Sequence, residues 1–197
     1  MKKFILASAL ALTGCNVASD LTPESMANSR HLTKPVFDKV ISDHPPSDNF
    51  ATTREHNNIL NDYLDESGVF HVHHKLSSSD YVADIGGFKV ADIVIDQNIE
   101  ASGAPKVTEE HIDIVHFIYG SKIMIPADEA RNLEGKMATL YFTLQPSFYG
   151  FQERESKITP CAKEQVSIFN FKSHCQLLVD EAKVLVDGKT YPVEKKN

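Results

Sequence analysis

From residue 69 to the C-terminus, apolar and polar residues alternate with a period of two in short runs, the pattern of strands that bury one face. Residues 69–75 alternate in this way. Residues 81–85 and 88–95 flank Gly86-Gly87, a two-residue hairpin signal. Further apolar runs occupy 111–119, 123–125, 166–171 and 176–179. Across 137–144 the alternation is clean, with Ala138, Leu140, Phe142 and Leu144 on one face. Residues 182–186 and 189–193 enclose Asp187-Gly188, the strongest hairpin signal in the chain, which sets Val184 opposite Tyr191. Pro192 has no N–H to give to a ladder, so the last strand is expected at an edge. Between these runs, residues 126–133 suit a helical turn ending near Gly135.

Upstream the period changes. Thr52-Thr53-Arg54-Glu55 has capping-box spacing, and Ile59, Leu60, Tyr63 and Leu64 then share a helical face that Gly68 terminates. Residues 16–49 are polar and turn-prone, with Pro23, Pro35, Pro45 and Pro46. Thr22-Pro23-Glu24 can start a short helix there, and Val36, Phe37, Val40 and Ile41 another that has the means to dock on the domain. The pattern predicts a mainly β, α+β fold: an antiparallel β-sandwich or partly open barrel of eight or nine strands behind one N-terminal helix. A polar tether over 15–50 precedes a single β-rich domain over 51–197.

The N-terminus has a pattern of its own. Met1-Lys2-Lys3 precedes an apolar run over 4–12, too short for a bilayer span of roughly 20 residues, and a small-residue exit follows. Leu12-Thr13-Gly14-Cys15 resembles the lipobox of bacterial lipoprotein precursors. The resemblance covers only the first fifteen residues, and residues 16–197 suggest no family. An ordinary secretory signal would need a small-x-small exit, which Asn16-Val17-Ala18 fits poorly. The resemblance implies that residues 1–14 are a signal peptide and that Cys15 becomes the first residue, with a diacylglyceryl group on its sulfur and, usually, a palmitate-like chain on its amine. Two or three acyl chains make attachment to the bilayer effectively permanent. Asn16 stands where lipoproteins of enteric-type bacteria kept at the inner membrane tend to carry aspartate, so the implied location is the outer membrane, facing the periplasm or the cell surface.

Charge and cysteines extend this picture. Removal of residues 1–14 takes Lys2 and Lys3 from the 20 basic side chains and leaves 18 against 27 acidic ones, a formal charge of −9. Such a surface repels nucleic acid and anionic head groups, so neither is expected as a partner through a basic patch. With Cys15 lipidated, Cys161 and Cys175 form an even pair in an oxidising compartment, where a disulfide is expected. A loop of that length contributes on the order of 3 kcal/mol when closed.

Two clusters carry candidate chemistry. In Phe70-His71-Val72-His73-His74-Lys75 the alternation puts His71 and His73 on one face and His74 on the other. Two imidazoles so spaced can share Zn or Cu if a neighbouring strand supplies a third ligand. His111, Asp113 and His116 on a later strand can supply it; His111 and Asp113 share one face and His116 the other, so only one set can join, and His116 is taken as the ligand. The same imidazoles form a candidate proton-sensing cluster. Against both stands the commoner role of solvent-facing or hydrogen-bonded strand residues. The second cluster is Gln145-Pro146-Ser147-Phe148-Tyr149-Gly150-Phe151, where Phe148, Tyr149 and Phe151 on a loop suit a partner contact or, equally in character, a plug at the end of the core. Glu109, Glu110, His111 and Asp113 form a polar group at a strand entry. Signatures of a nucleophile elbow, a zinc-protease helix, a phosphate loop and a dinucleotide turn are absent.

The expectation is therefore a membrane-anchored envelope lipoprotein that binds another envelope protein and needs no cofactor. A metal or small-ligand binder using the strand histidines is the second reading. An enzyme acting on envelope polymers is the third.

Overall fold

The computed structural model describes residues 21–43, 50, 52–98, 108–118, 120–146, 161–167 and 170–195. Cys15 and the Phe148, Tyr149 and Phe151 loop lie outside the described residues. The fold is mainly β with helices, an α+β arrangement around one large mixed sheet that does not close into a barrel.

The organising element is a strand of 17 residues, β10 (Asn170–Val186). Its first half lies between β9 (Cys161–Ser167), antiparallel, and β6 (Thr108–His116), parallel. Its second half lies between β8 (Met137–Pro146) and β11 (Lys189–Glu194), both antiparallel. A bulge between Val179 and Ala182 separates the halves. An inserted residue reverses the phase of a strand. The core positions accordingly change from Leu177 and Val179 before the bulge to Val184 and Val186 after it, all buried. That reversal is why the sequence reads 176–179 and 182–186 as separate short runs where one strand stands.

Around this spine the sheet runs outward. β2 (Phe70–Lys75) pairs with β8, and β1 (Arg30–His31) lies parallel to β2. On the other side β11 leads to β7 (Lys122–Met124), β4 (Gly87–Lys89) and β3 (Tyr81–Val82), while β5 (Ile93–Asn98) pairs with β6. Tyr81 stands opposite Phe88 and Val82 opposite Gly87, so the expected Gly86-Gly87 hairpin is a longer connection: a 3-10 turn over Ala83–Ile85 followed by Gly86 at φ +63°. The last strand is not an edge. β11 is flanked by β10 and β7, and its pairing with β7 starts at Val193, so Pro192 lies just outside that ladder. The Asp187-Gly188 turn is as expected, with both residues at positive φ and Val184 opposite Tyr191.

Helices cover the core face. α3 (Thr53–Glu66) packs on β8 and buries Leu60 and Leu64. Its capping box is formed, with the Thr52 amide donating to Glu55 at 2.7 Å and the Glu55 amide donating to the Thr52 hydroxyl at 3.3 Å. α4 (Ala127–Leu133) is latched to β11 through Glu129, which accepts from Lys189 at 2.6 Å and Tyr191 at 2.7 Å.

The stretch expected to be a tether is in large part built into the domain. α1 (Pro23–Ala27) is capped by Thr22, β1 joins the sheet, and α2 (Lys34–Ser42) buries Phe37 and Val40 in the same core as Leu140 and Phe142. Four apolar residues in 36–41 lose enough contact with water to fix this segment in place, at roughly 1.5–3 kcal/mol for each fully buried side chain. From Leu21 on, the described part of residues 15–50 thus belongs to the fold rather than to a linker.

Candidate functional site

A cluster of three imidazoles lies where the N-terminal segment meets β2. Alternation along β2 turns Phe70, Val72 and His74 toward the core and His71, His73 and Lys75 to the outer face. Parallel pairing sets His31 of β1 beside His71, held by the Arg30 amide donating to Val69 O at 3.0 Å and the Leu32 amide donating to His71 O at 2.9 Å. The three imidazoles of His31, His71 and His73 form a triangle with centroid separations of 5.2, 5.5 and 5.8 Å. Tyr141, opposite His71 on β8, closes one side at 5.9 Å.

Ser29 orients the central ring. Its hydroxyl donates to Met26 O at 2.6 Å, so toward His71 Nδ1, 2.9 Å away, it accepts. The neutral ring's hydrogen therefore sits on Nδ1, and Nε2 is the atom that takes up a proton. Burial, with repulsion from His31 and His73, holds the His71 pKa below the ordinary imidazole value.

His116 is elsewhere. It stands opposite Leu178 on the first half of β10, across β8 and β10 from β2, and its Nδ1 donates to Asp92 at 2.9 Å. Asp92 also accepts from the Phe117 amide at 2.7 Å, so the pair closes the end of β6. The structure thus joins His71 and His73, leaves His116 apart, and adds His31, which the sequence reading had placed in a tether. The planes of His31 and His71 lie within 8° of parallel, so their ring nitrogens do not converge on one point. Among the described residues no group of three His, Cys, Asp or Glu side chains is arranged to hold a metal ion.

Asp113 faces the core side of β6 and is buried, meeting Lys34 Nζ from α2 at 3.1 Å. Burial opposes the charge on Lys34, but the hydrogen bonds it donates to Asp38 and Asp113 outweigh it and raise its pKa above the ordinary lysine value. This ion pair fastens the N-terminal segment to the sheet a second time. The side chains of Glu109, Glu110 and His111 lie outside those described.

Comparison with known proteins finds no matching family model, no matching curated protein and no matching solved structure. The site's chemistry must then be judged from its geometry. Three imidazoles, a phenol and a serine hydroxyl offer proton exchange and hydrogen bonding, and the three histidines come from two elements that only tertiary pairing brings together.

The antiparallel register of β9 and β10 sets Cys161 directly opposite Cys175, the placement that a cross-strand disulfide needs. Among the described residues no helix is long and apolar enough to cross a membrane.

Proposed function

We propose that the chain is an envelope lipoprotein, anchored to the outer membrane through acylated Cys15, whose folded domain binds another envelope protein without catalysis. The observation that carries this reading is Leu12-Thr13-Gly14-Cys15 at the end of a short charged and apolar leader. The integration of residues from Leu21 onward gives the anchor a short reach. Six residue steps separate Cys15 from Leu21, about 20 Å when fully extended. A partner would therefore be met close to the bilayer, or be embedded in it.

A disulfide between Cys161 and Cys175 fits the same compartment and would tie the start of β9 to the first half of β10. Phe148, Tyr149 and Phe151, in the connection between β8 and β9, remain the proposed partner contact. In-cell crosslinking followed by mass spectrometry is the test. A discrete envelope protein captured by the wild type and lost with Phe148→Ala or Tyr149→Ala supports the reading. Capture that is unchanged by both substitutions removes the loop from it.

The competing reading, a metal or small-ligand binder, now rests on His71, His73 and His31. Its support is the spacing of three imidazoles within 6 Å of one another, which side-chain rotation would have to turn into convergence. Titration calorimetry with Zn and Cu separates the two readings: a site tighter than about 10 micromolar that His31→Gln abolishes favours the second.

A further inference from the structure

The N-terminal strap crosses the outer face of the sheet along one row of side chains. His71, Tyr141 and Lys183 are register-matched neighbours on β2, β8 and β10 and so share a face. At one end of the row Lys183 Nζ donates to Leu21 O at 2.7 Å, and Leu21 is buried. At the other end Ser29 meets His71, and His31 stacks on it. The strap has its own buried anchor in Leu32.

We propose that His31, His71 and His73 form a pH-responsive clasp that holds the strap, residues 21–32, on the sheet when neutral and loosens it when protonated. Two cations on rings about 5 Å apart repel, and among the described residues the charges beside the cluster do not relieve this. On β2 the outer-face neighbour is Lys75. On β8 it is Tyr141, with Thr139 beside His73; on β10 it is Lys183, already committed to Leu21 O. On β1 the Arg30 guanidinium lies over Phe70, on the opposite face. The acidic side chain of α1 is Glu24, exposed. No ion pair between these three histidines and a carboxylate is present among the described residues. Loss of His71 contact costs the strap its stacked ring, while Leu32 and the core beneath stay in place until the backbone bonds of β1 open.

On the lipid-anchored reading, and only there, undocking has a consequence outside the fold. Freeing residues 21–32 adds about 40 Å of chain between the bilayer and the sheet, so acidification would lengthen a short anchor. The clasp itself does not depend on that reading and is tested without lipid.

The test is NMR-detected amide exchange on the full mature chain with Cys15→Ser, in EDTA, at pH 7.5 and pH 5.5, corrected for intrinsic exchange. The Arg30 and Leu32 amides, bonded to Val69 O and His71 O, report β1 directly; the Leu140 and Phe142 amides serve as the core reference. Protection of Arg30 and Leu32 relative to the core is expected to fall at least tenfold at the lower pH in the wild type. With His71→Gln, and separately with His31→Gln, that fall is expected to shrink below threefold. An unchanged ratio in the wild type, or an equal fall in both variants, overturns the proposal.

Discussion

Two adjacent rows of side chains cross the same four strands of the sheet and differ by one residue in register. Val72, Leu140, Val184 and Tyr191 form the inner row; Leu140, Val184 and Tyr191 are buried and Val72 packs against them. His71, Tyr141, Lys183 and Pro192 form the outer row. The inner row lies in the core, where α3 covers β8 and the Tyr191 hydroxyl is satisfied by Glu129 of α4 in place of water. The outer row keeps polar groups because its cover is a strap that brings partners with it: Ser29 for His71 and the Leu21 carbonyl for Lys183. One face is held by area and the other by a few specific contacts. The outer face, with its clustered imidazoles, is the one whose hold is expected to change as pH falls from neutral.

Substitutions should separate the rows, and the largest effects belong inside. Phe37→Ala, in the segment that resembled a tether, is expected to cost about 3–5 kcal/mol in denaturant unfolding because Phe37 is 1% exposed. A cost near zero would return α2 to the role of a linker. Leu140→Ala should cost about 2–5 kcal/mol, whereas Tyr141→Ala, next to it on the outer row, should cost about 1 kcal/mol. Equal losses would erase the distinction between the faces. Thr52→Ala removes the cap of α3 and should cost about 1 kcal/mol without touching either row.

The smallest effect at neutral pH is the most telling for the outer row. Because the folded state holds the His71 pKa down, the unfolded chain takes up the proton more readily. The stabilisation is then fully present above the ordinary imidazole value near 6.5 and is lost as pH falls through the lower, folded one. His71→Gln should leave the midpoint of thermal unfolding nearly unchanged at pH 7.5 and flatten its decline between pH 7 and pH 5. An unaltered decline would show that other groups carry it.

What was legible in the chain followed from local signals. The capping box at Thr52, the stop at Gly68, the Asp187-Gly188 turn and the buried face of β8 all rest on residues within a few positions of one another. The mainly β character followed from the same alternation. What failed to show depended on distant partners. The stretch 176–186 of β10 reads as two runs because its bulge reverses the phase of its apolar positions. His31 gives no signal of its own, since it belongs to a two-residue strand whose parallel partner lies forty residues away. His116 seemed able to join His71 and His73 because strand order, which sets β8 and β10 between them, is not written in the spacing. The apolar residues of α2 and the helix start at Thr22-Pro23-Glu24 were the hints that the polar stretch was structural.

The central claim, that this domain hangs from a lipid close to the membrane, is tested most directly by the intact mass of the mature protein extracted from cell membranes. The account predicts a chain beginning at Cys15 and carrying a diacylglyceryl group, with a third acyl chain on its amine, and complete loss of that mass increment in Cys15→Ser. A mature chain that begins elsewhere, or one that begins at Cys15 with no lipid, would contradict it.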